Sequence, residues 1–531
     1  MSKTRKILIY DTTLRDGMQS ERINFSPKDK INITKKLDSF GMDYIEGGWP
    51  GSSPLDTEYF EFMKNIELKK SKLVAFGSTR RPFMKTEDDT LIKKLGESCA
   101  NTITIFGKSW DFHVQEVFKI SLEENLEMIK DTIAYIKSLG KEAIFDAEHF
   151  FDGFKADKSY ALDSLTVAKE AGADIITLCE TNGGTLPKEV FDITKIVTEK
   201  INTPIGIHCH NDCGMAVANS ISALEAGATM IQGTINGYGE RCGNANLCTI
   251  IPVAKLKLHL NLLNKEAVSQ LTFLSHYIDD VANIIPDDKM PFVGTSAFAH
   301  KAGVHADAIL KNPTTYEHLS PEEVGNQRKI TISAYAGASN IIEKLRTLGF
   351  NYEKKSPKVK KIMKTLANME HDGYSFEEAQ GSFDLILLKE LEVFTPFFET
   401  LRYNVTGSNT SKYDSKSIIE AVLKIMVNDK ISLTVAEGDG PVHALDRALR
   451  DGLNNFYPEA LSDIELTDYK VRVIMTQKEA TAAKVRVIIE TRNNKEIWHT
   501  IGVSNNVIEA SWQALKDSFD YGLYMFHKNK K

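Results

Sequence analysis

Two histidines with one residue between them, His208 and His210, lie in the run His208-Cys209-His210-Asn211-Asp212, which closes a β-branched apolar stretch. In an extended chain, residues two apart point to the same face, so the two imidazoles project together. That makes half of a divalent-metal site; the other reading is a hydrogen-bonded histidine pair in a core. A carboxylate would complete the set, and Asp16, at the end of the first apolar run, is the candidate. Asn244 can add a carbonyl oxygen. One Asp, two His and one oxygen donor leave open positions on Mg²⁺ or Mn²⁺, with Zn²⁺ a further candidate, and open positions mark a catalytic ion. A 2-oxo acid could chelate there through its carboxylate and keto oxygens. Arg15 could stabilise the resulting alkoxide, or else pair with a neighbouring carboxylate. Cys209 points the other way, towards packing. His305, with Asp307 two residues on, could form a base held in one tautomer by a carboxylate. Glycines at 237, 239 and 243 match neither the dinucleotide fingerprint nor the phosphate-loop spacing. They leave either a tight loop that admits a ligand close to the backbone or a plain turn.

These residues need a scaffold, and the first half of the chain supplies one. Short β-branched runs recur at Ile7–Leu14, Tyr44–Trp49, Leu73–Ser78, Thr102–Phe106, Ala143–Ala147, Ile175–Leu178, Pro204–His208 and Met230–Thr234. Helical spacing fills segments between them, such as Pro27–Phe40, Leu122–Leu139, Ala161–Ala171 and Met215–Ala226. Gly41, Gly172 and Gly227 stand where three of these helices should end. Eight strand–helix units close a parallel barrel; an open doubly wound sheet is the alternative. Polar residues gather at the strand ends: Arg15-Asp16, Glu46, Ser78 to Arg81, Lys108, Glu148-His149, Glu180 to Asn182, the two histidines and Glu240-Arg241. In such barrels the carboxyl ends of the strands carry the active site. Beyond the barrel, Tyr335–Leu348 and Pro357–Leu391 read as helices. Strand-like alternation returns from Glu392, with helices starting near Pro441 and Asn505 and a hairpin loop over Asn404–Ser417. That is an α+β module.

Composition excludes several classes. The 531 residues are 42% hydrophobic and 26% charged, which argues against disorder. Lys and Arg number 65 against 72 Asp and Glu, a net charge of −7. No global positive field draws nucleic acid or an anionic membrane. Six cysteines without a C-x-x-C pair suggest a reduced, cytoplasmic protein. No signal peptide or membrane span is expected.

Asp11-Thr12-Thr13-Leu14-Arg15-Asp16-Gly17 resembles the opening signature of the metal-dependent Claisen-condensing and lyase barrels, the isopropylmalate, homocitrate and citramalate synthases and hydroxymethylglutaryl-CoA lyases. His208 to Asp212 and Gly239-Glu240-Arg241-Cys242-Gly243-Asn244 resemble the second and third signatures, in the family's order. The resemblance continues through Phe298 to His305 and on to the C-terminus, so a barrel-only lyase is disfavoured. Tyr44 to Gly51, Phe76 to Arg81, Ile105 to Trp110 and Asp146 to Gly153 look most like a citramalate-forming subgroup. That implies acetyl-CoA as cosubstrate and pyruvate as acceptor, on a route to isoleucine; 2-oxoisovalerate (leucine biosynthesis) and homocitrate formation are the alternatives. A different class is a non-catalytic amino-acid-binding protein on a retired barrel, which would require a lost ligand or base.

Position by position, the resemblance makes Asp16, His208, His210 and Asn244 the metal ligands and Arg15 the group that steadies the enolate or carbonyl oxygen. Glu148 and Thr181 become substrate-site groups. His305 becomes the residue that helps deprotonate the acetyl methyl, and Tyr316 a further active-site residue. Arg80, Arg81 and Lys108 are candidate partners for the CoA phosphates. The implied organisation is a (β/α)8 TIM barrel over residues 1–285, a helical linker region over 286–391 and a C-terminal α+β regulatory domain over 392–531. The last is expected to form a homodimer or higher homo-oligomer and to bind an amino-acid effector, isoleucine first. The glycine turn Gly438-Asp439-Gly440 at a helix start offers free amides for its carboxylate, and Val473 lies on a neighbouring strand.

Overall fold

The computed structural model describes residues 5–300, 305, 308–309, 311–330, 337–408, 418–474, 483–494 and 496–530. The chain forms two compact units, Met1–Phe298 with Leu319–Arg328, and Ala299–His318 with Lys329–Lys531.

The first unit is a closed barrel of eight parallel strands in sequence order. They are β1 (Leu8–Asp11), β2 (Tyr44–Gly48), β3 (Lys72–Ser78), β4 (Thr102–Lys108), β5 (Glu142–Glu148), β6 (Ile175–Glu180), β7 (Ile205–Cys209) and β8 (Met230–Gly233). Closure is direct: β1 pairs with β8, Leu8 opposite Met230 and Asp11 opposite Gly233. That excludes the open doubly wound sheet. The helices obey their local signals. Ser26 caps Pro27–Phe40 through the Asp29 amide, Asp29 returns the bond, and Gly41 takes φ +107 at the other end. Gly172 and Gly227 likewise have φ of +100 and +125.

Outward-facing strand residues and inward-facing helix residues make one continuous apolar layer, among them Ile9, Ile45, Ile103, Ile176, Ile207 and Cys209. Inside the barrel, Tyr10, Tyr44, Val74, Ile144, Ile175 and Met230 pack together. Polar side chains therefore gather above that plug, at the carboxyl ends of the strands.

In the second unit, Glu399–Ser408, Ile418–Val427 and Lys430–Gly438 form one antiparallel sheet. Glu465–Ile474, Lys484–Arg492 and Ile497–Ser504 form another. The helices Pro441–Asn454 and Val507–Lys530 accompany them. Two sequence expectations need correction. Pro357–Leu391 is not continuous helix: Pro357–His371 stops and Gln380–Glu390 starts afresh, with Gly373 at φ +106 between them. The first five residues of the supposed hairpin loop 404–417 are strand, pairing up to Ser408 opposite Ile418; the rest of it lies outside the described residues. Among the described residues no helix is long and apolar enough to cross a membrane.

Candidate active site

Asp16, His208 and His210 meet at the carboxyl end of the barrel. Their ligand atoms all lie within 4.8 Å of one another, and all three residues are buried. His208 Nε2 is 3.3 Å from Asp16 Oδ2 and 3.3 Å from His210 Nε2. Donors bonded to one ion at about 2.0–2.1 Å stand roughly 3.0–3.4 Å apart, so the three residues fit a shared divalent cation. β7 ends at Cys209, one residue earlier than the histidine pair requires. His210 keeps the pleat because its N–H donates to Glu180 O at 3.1 Å. His208 Nδ1 and His210 Nδ1 are buried without a partner, so packing of the strand end orients both rings.

Asn244 arrives from the loop after β8, where it bridges to His210. Its Nδ2 donates to Asp16 Oδ2 at 2.8 Å, and its Oδ1 is buried and unpartnered. Turned over, the amide brings that free oxygen to the same donors. Gly243 makes the approach feasible. It has φ +90, and a Cβ there would fall 2.1 Å from Gly237 O. Gly243→Ala is expected to lower stability by about 1–3 kcal/mol and to weaken divalent-ion binding by roughly tenfold or more. Thermal unfolding and calorimetric titration with Mn²⁺ check both; an unchanged ion affinity would separate this loop from the site.

The electrostatics follow from burial and pairing. Burial alone would raise the Asp16 carboxyl, but Arg15 and the bond to His208 outweigh it and hold it well below the carboxylate range. Burial and the adjacent His208 push His210 down to about 3, leaving a neutral imidazole. Arg15 Nε donates to Glu46 Oε1 at 2.6 Å, and its NH1 lies 3.6 Å from Asp16 Oδ2. Glu46 also accepts from Tyr10 Oη at 2.6 Å. Burial would lower the Arg15 guanidinium, yet Glu46 and Asp16 raise it, so the cation is permanent. The alternative reading of Arg15 as an ion-pair partner describes its bond to Glu46, and its guanidinium lines the cavity.

Arg15, Asp16, Glu148, Thr181, His208 and His210 line one cavity of about 320 Å³. Glu148 accepts a hydrogen bond from Lys108, and Thr181 Oγ1 accepts the His149 amide at 2.9 Å. Trp49, Phe76, Phe106 and Asp146, which the sequence reading assigned no role, line the same cavity. Burial, with the Glu46 charge, pushes Asp146 up to about 6, and Gln232 Nε2 donates to it at 2.9 Å. A carboxylate inside the apolar run Ala143–Ala147 was the signal that could have found it. None of the candidate phosphate partners is a free cation. Arg80 pairs with Glu124 and Asp131, Arg81 with Asp89, and Lys108 with Glu148.

His305 and Tyr316 belong to the second unit, where their rings stack at 4.0 Å and 27°. Asp307, the expected partner of His305, lies outside the described residues. In the C-terminal α+β module Gly438 ends a strand, and a Cβ there would meet the Ala444 amide nitrogen at 2.4 Å. Gly440 caps Pro441–Asn454, and a Cβ there would meet open space. The Asp439 side chain is 96% exposed, with Oδ2 3.3 Å from His443 Nδ1. Val473 is 57% exposed.

Three family models match the chain in succession. They are HMGL-like over residues 6–274, homocitrate synthase post-HMGL domain-like over 292–373, and the LeuA allosteric (dimerisation) domain over 379–523. The chain is 49% identical over 519 residues to a protein of Aquifex aeolicus named (R)-citramalate synthase, covering 98% of each chain. It is 46% identical over 532 residues to one of the same name from Synechocystis, covering 98% of this chain and 97% of that one. Identity is 29% over 511 residues to a probable 2-isopropylmalate synthase of Methanopyrus kandleri, covering 96% and 97%.

Proposed function

Because the chain belongs to the HMGL-like family, and within it to the (R)-citramalate synthases it matches end to end, we infer that it joins acetyl-CoA to pyruvate. The products are (R)-citramalate and CoA. The observation that carries the chemistry is the convergence of Asp16, His208 and His210 beside Arg15 in one cavity.

A divalent ion, Mg²⁺ or Mn²⁺ first and Zn²⁺ next, bound by Asp16, His208, His210 and Asn244 would supply a Lewis acid for the 2-oxo acid's carbonyl. Arg15, fixed by Glu46, places positive charge where oxyanion character develops. Glu148 and Thr181 bind and orient the substrate. His305, with Tyr316, is the proposed base for the acetyl methyl. The methyl carbon, once deprotonated, bonds to the keto carbon of pyruvate; the carbonyl π pair moves to the oxygen, which takes up a proton and becomes the hydroxyl of citramalyl-CoA. Water then cleaves the thioester, releasing CoA thiol and making the condensation effectively irreversible.

In this reading residues 1–285 are the catalytic barrel, 286–391 the helical linker and 392–531 the regulatory domain. The LeuA dimerisation match supports a homo-oligomer. Exposed apolar residues on sheet strands, Ile431, Leu433, Val435 and Val471, fit a surface that a second copy covers. Isoleucine is the proposed effector, its carboxylate held by the backbone amides of Gly438, Asp439 and Gly440 and its ammonium by the Asp439 side chain; Val473, the further proposed effector residue, stands on a strand of the other antiparallel sheet and not on a strand paired with the one that Gly438 ends.

The deciding experiment is CoA thiol release with acetyl-CoA and a panel of 2-oxo acids, repeated with isoleucine and with leucine. Turnover of 2-oxoisovalerate but not pyruvate would replace this reading by isopropylmalate synthesis; no turnover at all would favour the non-catalytic class. Asp439→Ala is expected to raise the isoleucine concentration for half-inhibition about tenfold, the worth of ~1.4 kcal/mol of lost contacts, while sparing uninhibited turnover. Unaltered inhibition would remove Asp439 from the effector site.

A further inference from the structure

Trp49 follows β2 and closes the cavity's apolar side together with Phe76 and Phe106. Phe76 and Phe106 stack at 5.5 Å. Trp49 meets both edge-on, at 6.1 Å and 6.0 Å. The Arg15 guanidinium lies 3.8 Å over the Phe76 ring. The aromatic wall and the group proposed to hold the substrate oxygen are therefore one continuous surface. That surface offers an apolar wall to the alkyl group of an oxo acid seated at Arg15.

Behind Trp49 lies a charge pair, its lysine fully buried and its aspartate partly so. The Asp56 carboxylate accepts the Trp49 backbone N–H at 3.1 Å, and Lys30 Nζ lies 2.6 Å from the same carboxylate. The Lys30 side chain is wholly buried, and its ammonium is 4.9 Å from the Tyr59 ring centroid. Gly48 opens the way for the carboxylate: it has φ +135, and a Cβ there would meet Asp56 Oδ1 at 2.5 Å. The indole Nε1 is buried without a partner, so the side chain takes its place from this backbone anchor and from ring contacts. A buried ion pair adds little net stability over two well-packed apolar residues. Stability alone gives no reason for one here.

We propose that Lys30 and Asp56 are a positioning pair that fixes Trp49 and thereby limits the size of the 2-oxo acid the cavity accepts. The proposal rests on the condensing-enzyme reading above. Its chemistry is steric: with the indole held against Phe76 and Phe106 the wall suits a methyl group, and release of the anchor makes room for a longer alkyl chain.

The test is kcat/KM for pyruvate, 2-oxobutanoate and 2-oxoisovalerate on the full chain, by thiol release. Wild type, Trp49→Ala, Asp56→Asn, Lys30→Met and the double variant Lys30→Met/Asp56→Leu are compared. One methylene in an apolar pocket is worth about 10–200-fold in selectivity. Trp49→Ala is expected to lower the pyruvate to 2-oxobutanoate ratio about tenfold or more, and the pair variants about three- to tenfold. A merely structural pair would lower all three kcat/KM values together and leave the ratio unmoved, which overturns the proposal. The double variant leaves no unpaired buried charge; if it folds with the wild-type ratio, or if no pair variant folds, the proposal also fails. A wild type inactive on every acid would sink the parent reading instead, whereas an active wild type with unshifted variants sinks this one alone.

Discussion

Asp16→Asn is expected to lower kcat/KM by about three orders of magnitude or more and to abolish tight divalent-ion binding. The Asp16 side chain is 3% exposed and faces two neutral-capable imidazoles. An amide of the same shape keeps the packing but removes the one negative charge of the Asp–His–His set. A dication brought from water into that enclosure would then lack its charged ligand, and burial of an unbalanced ion costs far more than the lost bond. Arg15, 3.6 Å away, would keep Glu46 as its counter-charge but lose that of Asp16, and so add its repulsion to the ion. Isothermal titration with Mn²⁺ and steady-state thiol release read the two effects separately. Ion binding within threefold of wild type would remove Asp16 from the ligand set, whatever happened to turnover.

Arg15→Gln is expected to lower kcat by about 10²–10³-fold, the usual loss when one oxyanion-stabilising donor goes, with a smaller change in KM for pyruvate. Arg15→Lys is expected to recover little. The bond that orients the side chain runs from Nε to Glu46 Oε1, and lysine has no nitrogen at that point of the chain. The ring contact at Phe76 also depends on a flat guanidinium. Ion affinity should rise or stay constant in both variants, because a positive charge beside Asp16 has been removed or displaced. A kcat within threefold of wild type in Arg15→Gln would show that the developing oxygen charge is met elsewhere.

Much of this molecule is written locally. The eight β-branched runs became eight strands, and Gly41, Gly172 and Gly227 marked helix ends where they stand. The site's donors were visible because chemistry restricts them: two imidazoles at i and i+2, a carboxylate after the first strand, an amide after the last. Partners were not visible. Arg15 and Glu46 are 31 residues apart, so no periodicity links them. Arg80, Arg81 and Lys108 look alike as basic residues in a sequence; only three-dimensional packing gives each its carboxylate. The break near Gly373 shows the converse: a local glycine signal was present, and the apolar spacing on both sides masked it.

By itself the sequence determined the eight barrel strands, the order of the three signatures and the types of ligand atom, because these follow from side-chain chemistry and from periods of 2 and 3.6 residues. The tertiary structure decided that the sheet closes, which carboxylate faces which cation, and that Trp49, Phe76 and Phe106 wall the cavity that Arg15 enters. Alternation along a strand tells whether a residue points into a barrel. It does not tell which residue of another strand faces it across the interior, since strand register is set by contacts distant along the chain.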